Sequence, residues 1–345
     1  MTHKTSLPPG KQTKRAEGVV DTVIKTYLYN AKDGTLEHDV ETEGLIEVVQ
    51  NPESMLWIDV YNWEPNEIKA IAEVFGFHPL AVEDCIHEST RTKVDRYEEY
   101  DFFELHSLKY SEDSEPEITV EELNVFLASN YIVTVHKHAI PSIGHIAARS
   151  RHDAFNMSKG PDYLLYAIMD GITDTYFPII DRISARIDDL EDEMYENPAF
   201  AITEEFLSLK RTIVMIRRAV EPQRRIFANV NASYTFTVSP RNRPYFMDLS
   251  DHLERITDAV EVFRDLVQGA LETYSSLGTA KTNETMRILT IITTLTATMT
   301  LITGVFGMNV PLPWQRTWQA TVVIMFCMVA LSVGMLVIFR KRKWI

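Results

Sequence analysis

The 345-residue chain carries a formal net charge of −15, from 49 Asp and Glu against 34 Lys and Arg. An acidic excess of that size argues against nucleic acid as a partner and suits cations. Its two cysteines, Cys85 and Cys327, sit in different surroundings and make neither a disulfide framework nor a metal motif.

Residues 1–18 read as a disordered tail of Lys, Thr, Pro and Gly with nothing to bury. No secretory signal is recognisable there, and the first long apolar run begins only at Ile288. The chain before it is therefore expected in the cytoplasm. Residues 19–160 read as an α/β domain with a mixed sheet. Strand patterns cover Val23–Tyr29, Leu56–Val60, Val94–Tyr97, Tyr100–Tyr110, Glu117–Leu127 and Tyr131–His136, with turn chemistry at Ala31–Gly34 and Asn130. Pro65–Phe75 has a helical apolar face, and Pro79 opens a short helix that carries Glu83 and Asp84.

Residues 161–244 read as a helical hairpin. One uninterrupted apolar period runs from Leu164 to Met194, ends at Asn197-Pro198, and bears Asp188, Asp189, Glu191, Asp192, Glu193 and Glu196 on its other face. The returning helix, Thr203 to about Asn229, bears Lys210, Arg211, Arg217, Arg218, Arg224 and Arg225. Attraction between an acidic arm and a basic arm and two solvated faces are equally open readings.

From residue 245 to 309 no proline interrupts the chain. Leu253, Ile256, Val260, Phe263, Val267, Ala270, Tyr274 and Leu277 recur three and four apart, so a long stalk helix is expected to run directly into a membrane span. The span, 288–308, is uncharged and about 30 Å long as a helix, the thickness of a hydrocarbon core. A second uncharged span, 318–339, follows the short external loop 310–317, and the tail 340–345 carries Arg340, Lys341, Arg342 and Lys343. By the positive-inside rule both termini are cytoplasmic. The first span is oddly polar. Asn283, Met286, Thr290, Thr293, Ala297, Thr300 and Gly304 form one narrow stripe of small and polar residues. The stripe fits a water path enclosed by several copies of the chain, or ordinary packing between membrane helices. Thr294, Thr296 and Thr298, off the stripe, are expected to bond back to their own helix.

The C-terminal residues match a known family. Lys281-Thr282-Asn283-Glu284-Thr285-Met286-Arg287-Ile288-Leu289-Thr290, then Gly304-Val305-Phe306-Gly307-Met308-Asn309, then Lys343-Trp344, resemble the CorA family of divalent-cation (magnesium/cobalt) channels. The resemblance extends upstream to Tyr245-Phe246-Met247-Asp248, Phe263-Arg264-Asp265 and His78-Pro79-Leu80 with Glu83-Asp84. It implies a cytoplasmic α/β domain, a long stalk helix and a two-helix transmembrane hairpin, assembled as a funnel-shaped homopentamer in the cytoplasmic (inner) membrane. Two departures stand out. Phe306 replaces the family's usual Tyr, and the loop Val310-Pro311-Leu312-Pro313-Trp314-Gln315-Arg316 has no acid where magnesium members carry Met-Pro-Glu-Leu.

The resemblance makes Gly307, Met308 and Asn309 a selectivity filter, with a ring of Asn309 amides holding a hydrated ion through its outer shell. Mg²⁺ keeps several waters, and conduction needs weak, multiple sites. Asn283, Thr290, Thr293 and Thr300 would offer further oxygens. Met286 and Leu289 are candidates for a hydrophobic constriction, with core packing as the open alternative. Asp84 and Glu272 match a regulatory Mg²⁺ site between neighbouring subunits, and Glu83, Asp170 and Asp248 a second one. The acid-free loop keeps a zinc, cobalt or nickel transporter as the alternative, although the path offers no His or Cys to a softer ion. A membrane-anchored sensor or enzyme is the reading from another class. The first 280 residues hold no phosphate-binding glycine loop, no HExxH and no nucleophile motif, so an enzyme is not expected.

Overall fold

A computed structural model describes residues 23–40, 51, 53–87, 89, 91–111, 117–196, 200–230, 236–308 and 318–344. The expected tail 1–18, the Asn197-Pro198 helix stop, Asn309 and the loop 310–317 lie outside the described residues. By contact the chain divides into two compact units, Met1–Gln268 and Gly269–Ile345.

The first unit is built on a seven-stranded mixed sheet of order β2-β1-β3-β7-β6-β5-β4. Its strands are β1 (Val23–Asn30), β2 (Leu36–His38), β3 (Ser54–Tyr61), β4 (Lys93–Arg96), β5 (Asp101–Tyr110), β6 (Ile118–Leu127) and β7 (Tyr131–His136). Among the described strands only β3 and β7 pair in parallel, Leu56 opposite Tyr131 through Tyr61 opposite His136. These central strands are covered on both faces, which is why Leu56, Trp57, Val60, Ile132 and Val133 form unbroken apolar runs. Between these two strands buried polar side chains pair: Trp57 Nε1 donates to Thr134 Oγ1 at 3.1 Å, and Thr134 Oγ1 donates to Asp59 Oδ1 at 2.8 Å.

On one face lie α1 (Pro65–Phe75) and α2 (Pro79–Ile86), joined through Gly76, whose φ of 68° ends α1 in the left-handed region open to glycine. Phe77 then stacks on Phe126 at 3.8 Å. His78 caps α2, its Nδ1 accepting from Leu80 N–H, and buried Cys85 anchors it to the core. The other helices of the unit are α3 (Pro141–Arg149), α4 (Phe155–Ser158), α5 (Pro161–Asp174), α6 (Tyr176–Glu196) and α7 (Phe200–Ala228). Both α5 and α7 pack on the sheet. Tyr176 Oη donates to the His106 carbonyl at 2.8 Å, and Phe103 meets Phe236 edge-on.

One expectation needs correction. The run Leu164–Met194 is not one helix: it breaks at Thr175. Pro178 has no N–H to offer the Asp174 carbonyl and its ring crowds that turn, so the chain restarts with Pro178 in the first turn of α6. Of the two open readings for the charged faces, attraction finds no support among the described residues, where no α6 acid pairs with an α7 base. The described ion pair between these helices has the reverse sense, Arg186 of α6 to Glu205 of α7, while Arg225 pairs with Glu221 inside α7 at 2.8 Å. The helices meet instead through apolar side chains such as Ile183, Ile187, Phe206 and Ile213, all buried.

Helix α8 runs unbroken from Arg243 to Phe306, 64 residues and roughly 96 Å at the standard rise. Within the first unit its buried face is Phe246, Leu249, Leu253, Ile256, Val260, Phe263 and Val267. Of the stripe read as far as Leu277, Ala270 is still buried, Tyr274 is half-buried and Leu277 is 37% exposed, so it fades after Ala270. The second unit holds the rest of α8 and α9 (Trp318–Lys341), both long and apolar enough to cross a membrane.

Candidate functional site

In the second unit α8 turns one face to α9. Ile291 is buried on it, Thr294, Leu295, Thr298, Met299 and Ile302 are half-buried, and Thr298 Oγ1 lies 3.9 Å from Met335 Sδ. The predicted stripe is on the other side. Asn283, Met286, Leu289, Thr290, Thr293, Ala297, Thr300 and Gly304 are all exposed. Small residues at 297 and 304 shape an open groove lined also by Thr293, Thr300 and Met308. Met286 and Leu289 are 55% and 56% exposed, so the single chain supplies no core for them.

The threonines meet expectation only in part. Thr296 and Thr298 bond back as expected, no such bond is described for Thr294, and on the stripe itself Thr290 Oγ1 donates to the Met286 carbonyl at 2.7 Å, Thr293 to Leu289 at 2.7 Å and Thr300 to Thr296 at 2.8 Å. In a helix without competing water the nearest acceptor for each hydroxyl proton is the carbonyl one turn back. With the proton so committed, each oxygen keeps only lone pairs for the groove.

At the upper end of α8, Gly307 N–H donates to the Thr303 carbonyl at 2.8 Å. A Cβ at Gly307 would stand 2.9 Å from that same oxygen, closer than side chains tolerate. The lower end of the hairpin is tied by the basic tail. Trp344 N–H donates to the Phe339 carbonyl and Lys343 N–H to the Arg340 carbonyl, with Lys343 at φ 57°. This is a Schellman ending, and the Trp344 ring stacks on Phe339 at 5.7 Å as its hydrophobic contact. Arg287 Nη1 of α8 then donates to the Lys343 carbonyl at 3.3 Å. Arg340 and Lys341 occupy the last turn of α9, where cations suit the helix dipole.

The predicted acids of the first unit fall into two places. On α5 and α8, Asp170, Asp248 and His252 bring one ligand atom each to within 4.8 Å of one another. Asp170 Oδ1 and His252 Nδ1 are 3.6 Å apart, and both are buried without a hydrogen-bond partner. Burial, and then Asp174, raise the Asp170 pKa, against the pull of His252. Two buried ligand atoms that make no hydrogen bond, beside an exposed carboxylate, fit a divalent cation, the carboxylates suiting a hard ion and the imidazole a softer one. His252 was not among the residues expected here, although it follows Asp248 by one helical turn. Glu83, the third acid of the expected set, is exposed on α2 outside this cluster.

Asp84, on the same helix, meets Lys93 Nζ of β4 at 2.5 Å. Lys93 also reaches Asp95 at 2.9 Å and Glu104 at 3.2 Å. Burial works against the Lys93 charge, yet these three carboxylates hold its pKa above the ordinary lysine value. Burial raises the Glu104 pKa, with Lys93 opposing. Glu272 is exposed on α8 in the second unit.

A soluble mixed-sheet domain, a helix of this length and two apolar spans define a membrane protein with a large polar domain and clustered acids. The CorA-like Mg²⁺ transporter protein family matches residues 52–342, and the chain belongs to that family. It is 30% identical over 345 residues to the cobalt/magnesium transport protein CorA of Thermotoga maritima, covering 99% of this chain and 98% of that one. It is 30% identical over 312 residues to the putative metal ion transporter YfjQ of Bacillus subtilis, covering 90% and 96%. The CorA magnesium transporter structure from Methanocaldococcus jannaschii superposes with a TM-score of 0.77 over 94% of this chain and all of that one, at 23% identity. That likeness is one of fold: sheet, long helix and C-terminal helical pair.

Proposed function

We propose that this chain is a divalent-cation channel carrying Mg²⁺, and Co²⁺ with it, across the cytoplasmic membrane. The observation that supports it most is the face of α8 turned away from α9, exposed and lined by hydroxyl oxygens whose protons are committed to the backbone. A single copy cannot enclose that face, so we infer a homopentamer with five such faces inward and both termini cytoplasmic. Asn309, just beyond Gly307 and Met308, forms the outer ring that holds the hydrated ion. Neutral amides bind weakly enough for release, as conduction requires. Met286 and Leu289 form the hydrophobic constriction below.

Intracellular Mg²⁺ closes the channel by bridging carboxylates: Asp84 to Glu272 of a neighbouring copy, and Glu83, Asp170 and Asp248 nearby. Asp170, Asp248 and His252 would hold a regulatory ion, which supplies charge neutralisation and cross-linking when bound. As Mg²⁺ falls, the acids repel and the stalks part.

The test is uptake of Mg²⁺, Co²⁺, Ni²⁺ and Zn²⁺ into proteoliposomes, side by side. Wild-type protein is expected to take up Mg²⁺, and Asn309→Ala to lose selective uptake while still forming the same oligomer. Normal uptake by that variant removes Asn309 from the mechanism. Uptake of Zn²⁺ but not Mg²⁺ by wild-type protein replaces the ion.

A further inference from the structure

The Asp84 carboxylate already has a cation. Lys93 lies on β4, whose register sets it opposite Glu104 of β5, while Pro79, the His78 cap and buried Cys85 fix α2. The contact is therefore built by two anchored elements and is not a chance meeting of loose surface chains. Three carboxylates surround this one ammonium at 2.5, 2.9 and 3.2 Å. Glu104 is 1% exposed and cannot follow the solvent. Asp84 and Asp95 are partly exposed and open to ions.

We propose that Lys93 is a tethered competitor at Asp84, an ammonium held by the fold that must leave this carboxylate before it takes a dication. The proposal rests on the reading of Asp84 as a regulatory ligand. Lysine suits the role: it is a point charge on a flexible four-carbon stem and makes no bidentate fork. On leaving Asp84 it keeps Asp95 and Glu104, so displacement costs it one partner of three. Glu104 is the anchor that keeps the ammonium parked within reach. The divalent concentration that occupies Asp84 is then set by the protein's own charge as well as by the ion, and occupancy begins only above the level a bare carboxylate would need.

The test follows the thermal unfolding midpoint of the full-length protein in detergent against MgCl₂, a readout independent of flux. Lys93→Met is expected to lower the half-saturating Mg²⁺ concentration about tenfold, the effect of one charge on a neighbouring carboxylate. Lys93→Arg is expected not to lower it. Because Lys93→Met strips the buried Glu104 of its counter-ion, Lys93→Met with Glu104→Gln removes both charges and keeps the test valid if the single variant fails to fold. An unchanged or raised half-saturation in that double variant overturns the competition. Asp84→Asn separates the two ideas. If it leaves half-saturation unmoved, Asp84 is not a ligand and both ideas fall. If it weakens Mg²⁺ binding while the Lys93 variants fail to strengthen it, the competition alone falls.

Discussion

The His106 ring is buried with both nitrogens engaged: Thr92 Oγ1 is 2.8 Å from Nδ1 and the Ser89 carbonyl 3.0 Å from Nε2. A carbonyl only accepts, so Nε2 carries the proton and the Thr92 hydroxyl donates to Nδ1. Burial holds the His106 pKa below its usual value, against the pull of Ser89. The unfolded chain therefore binds this proton more readily than the folded one. The contribution to stability is fully present above about pH 6.5 and is lost as pH falls through the folded-state pKa. As pH falls below about 6.5, the thermal midpoint is expected to fall more steeply in wild-type protein than in His106→Gln, measured by circular dichroism. Equal slopes would remove His106 as the cause. Such a residue is not legible in a sequence, since its partners meet it through strand pairing. Lys93 is hidden for the same reason: its partners Asp84, Asp95 and Glu104 share no spacing, whereas His252 sits one turn from Asp248 on one helix.

At the scale of elements, periodicity predicted long helices well and interruptions poorly. The unbroken run after Pro244 gave α8 its full length, because nothing in it removes a backbone donor. The break at Thr175 was signalled by Pro178 but masked by an apolar period that continues in phase across it. The four-residue helix α4 and the three-residue strand β2 are too short to show a period, and α3, though longer than α2, was not read from the sequence. The end of α8 carries its own prediction. Gly307→Ala sets a methyl 2.9 Å from the Thr303 carbonyl, and the turn leading to Asn309 has to shift. The expected cost is about 1–3 kcal/mol, with Mg²⁺ uptake reduced well below wild type at equal protein in the membrane. Undiminished uptake by Gly307→Ala would mean that the close approach at this turn does not position the motif.

For the whole molecule, the mixed sheet was legible because hairpin-linked strands alternated with helices, and the membrane pair because acid stops at Glu284. What a single chain cannot encode in its spacing is which faces meet other copies. Asp84 and Glu272 belong to different units of the chain, and their pairing belongs to the proposed assembly. Replacing both, Asp84→Ala with Glu272→Ala, is expected to leave liposome influx running at Mg²⁺ concentrations that shut the wild-type channel. Inhibition identical to wild type would discard the carboxylate bridge as the sensor.

The back-bonded threonines have a further consequence. A proton travels along a file of water and hydroxyls only if each member can receive a hydrogen and hand one on. Thr290, Thr293 and Thr300 have given theirs to the helix backbone. In the proposed channel they could accept from passing water but relay nothing, so this face would be a poor proton wire and would let dications pass without a hydrogen-ion leak along these side chains.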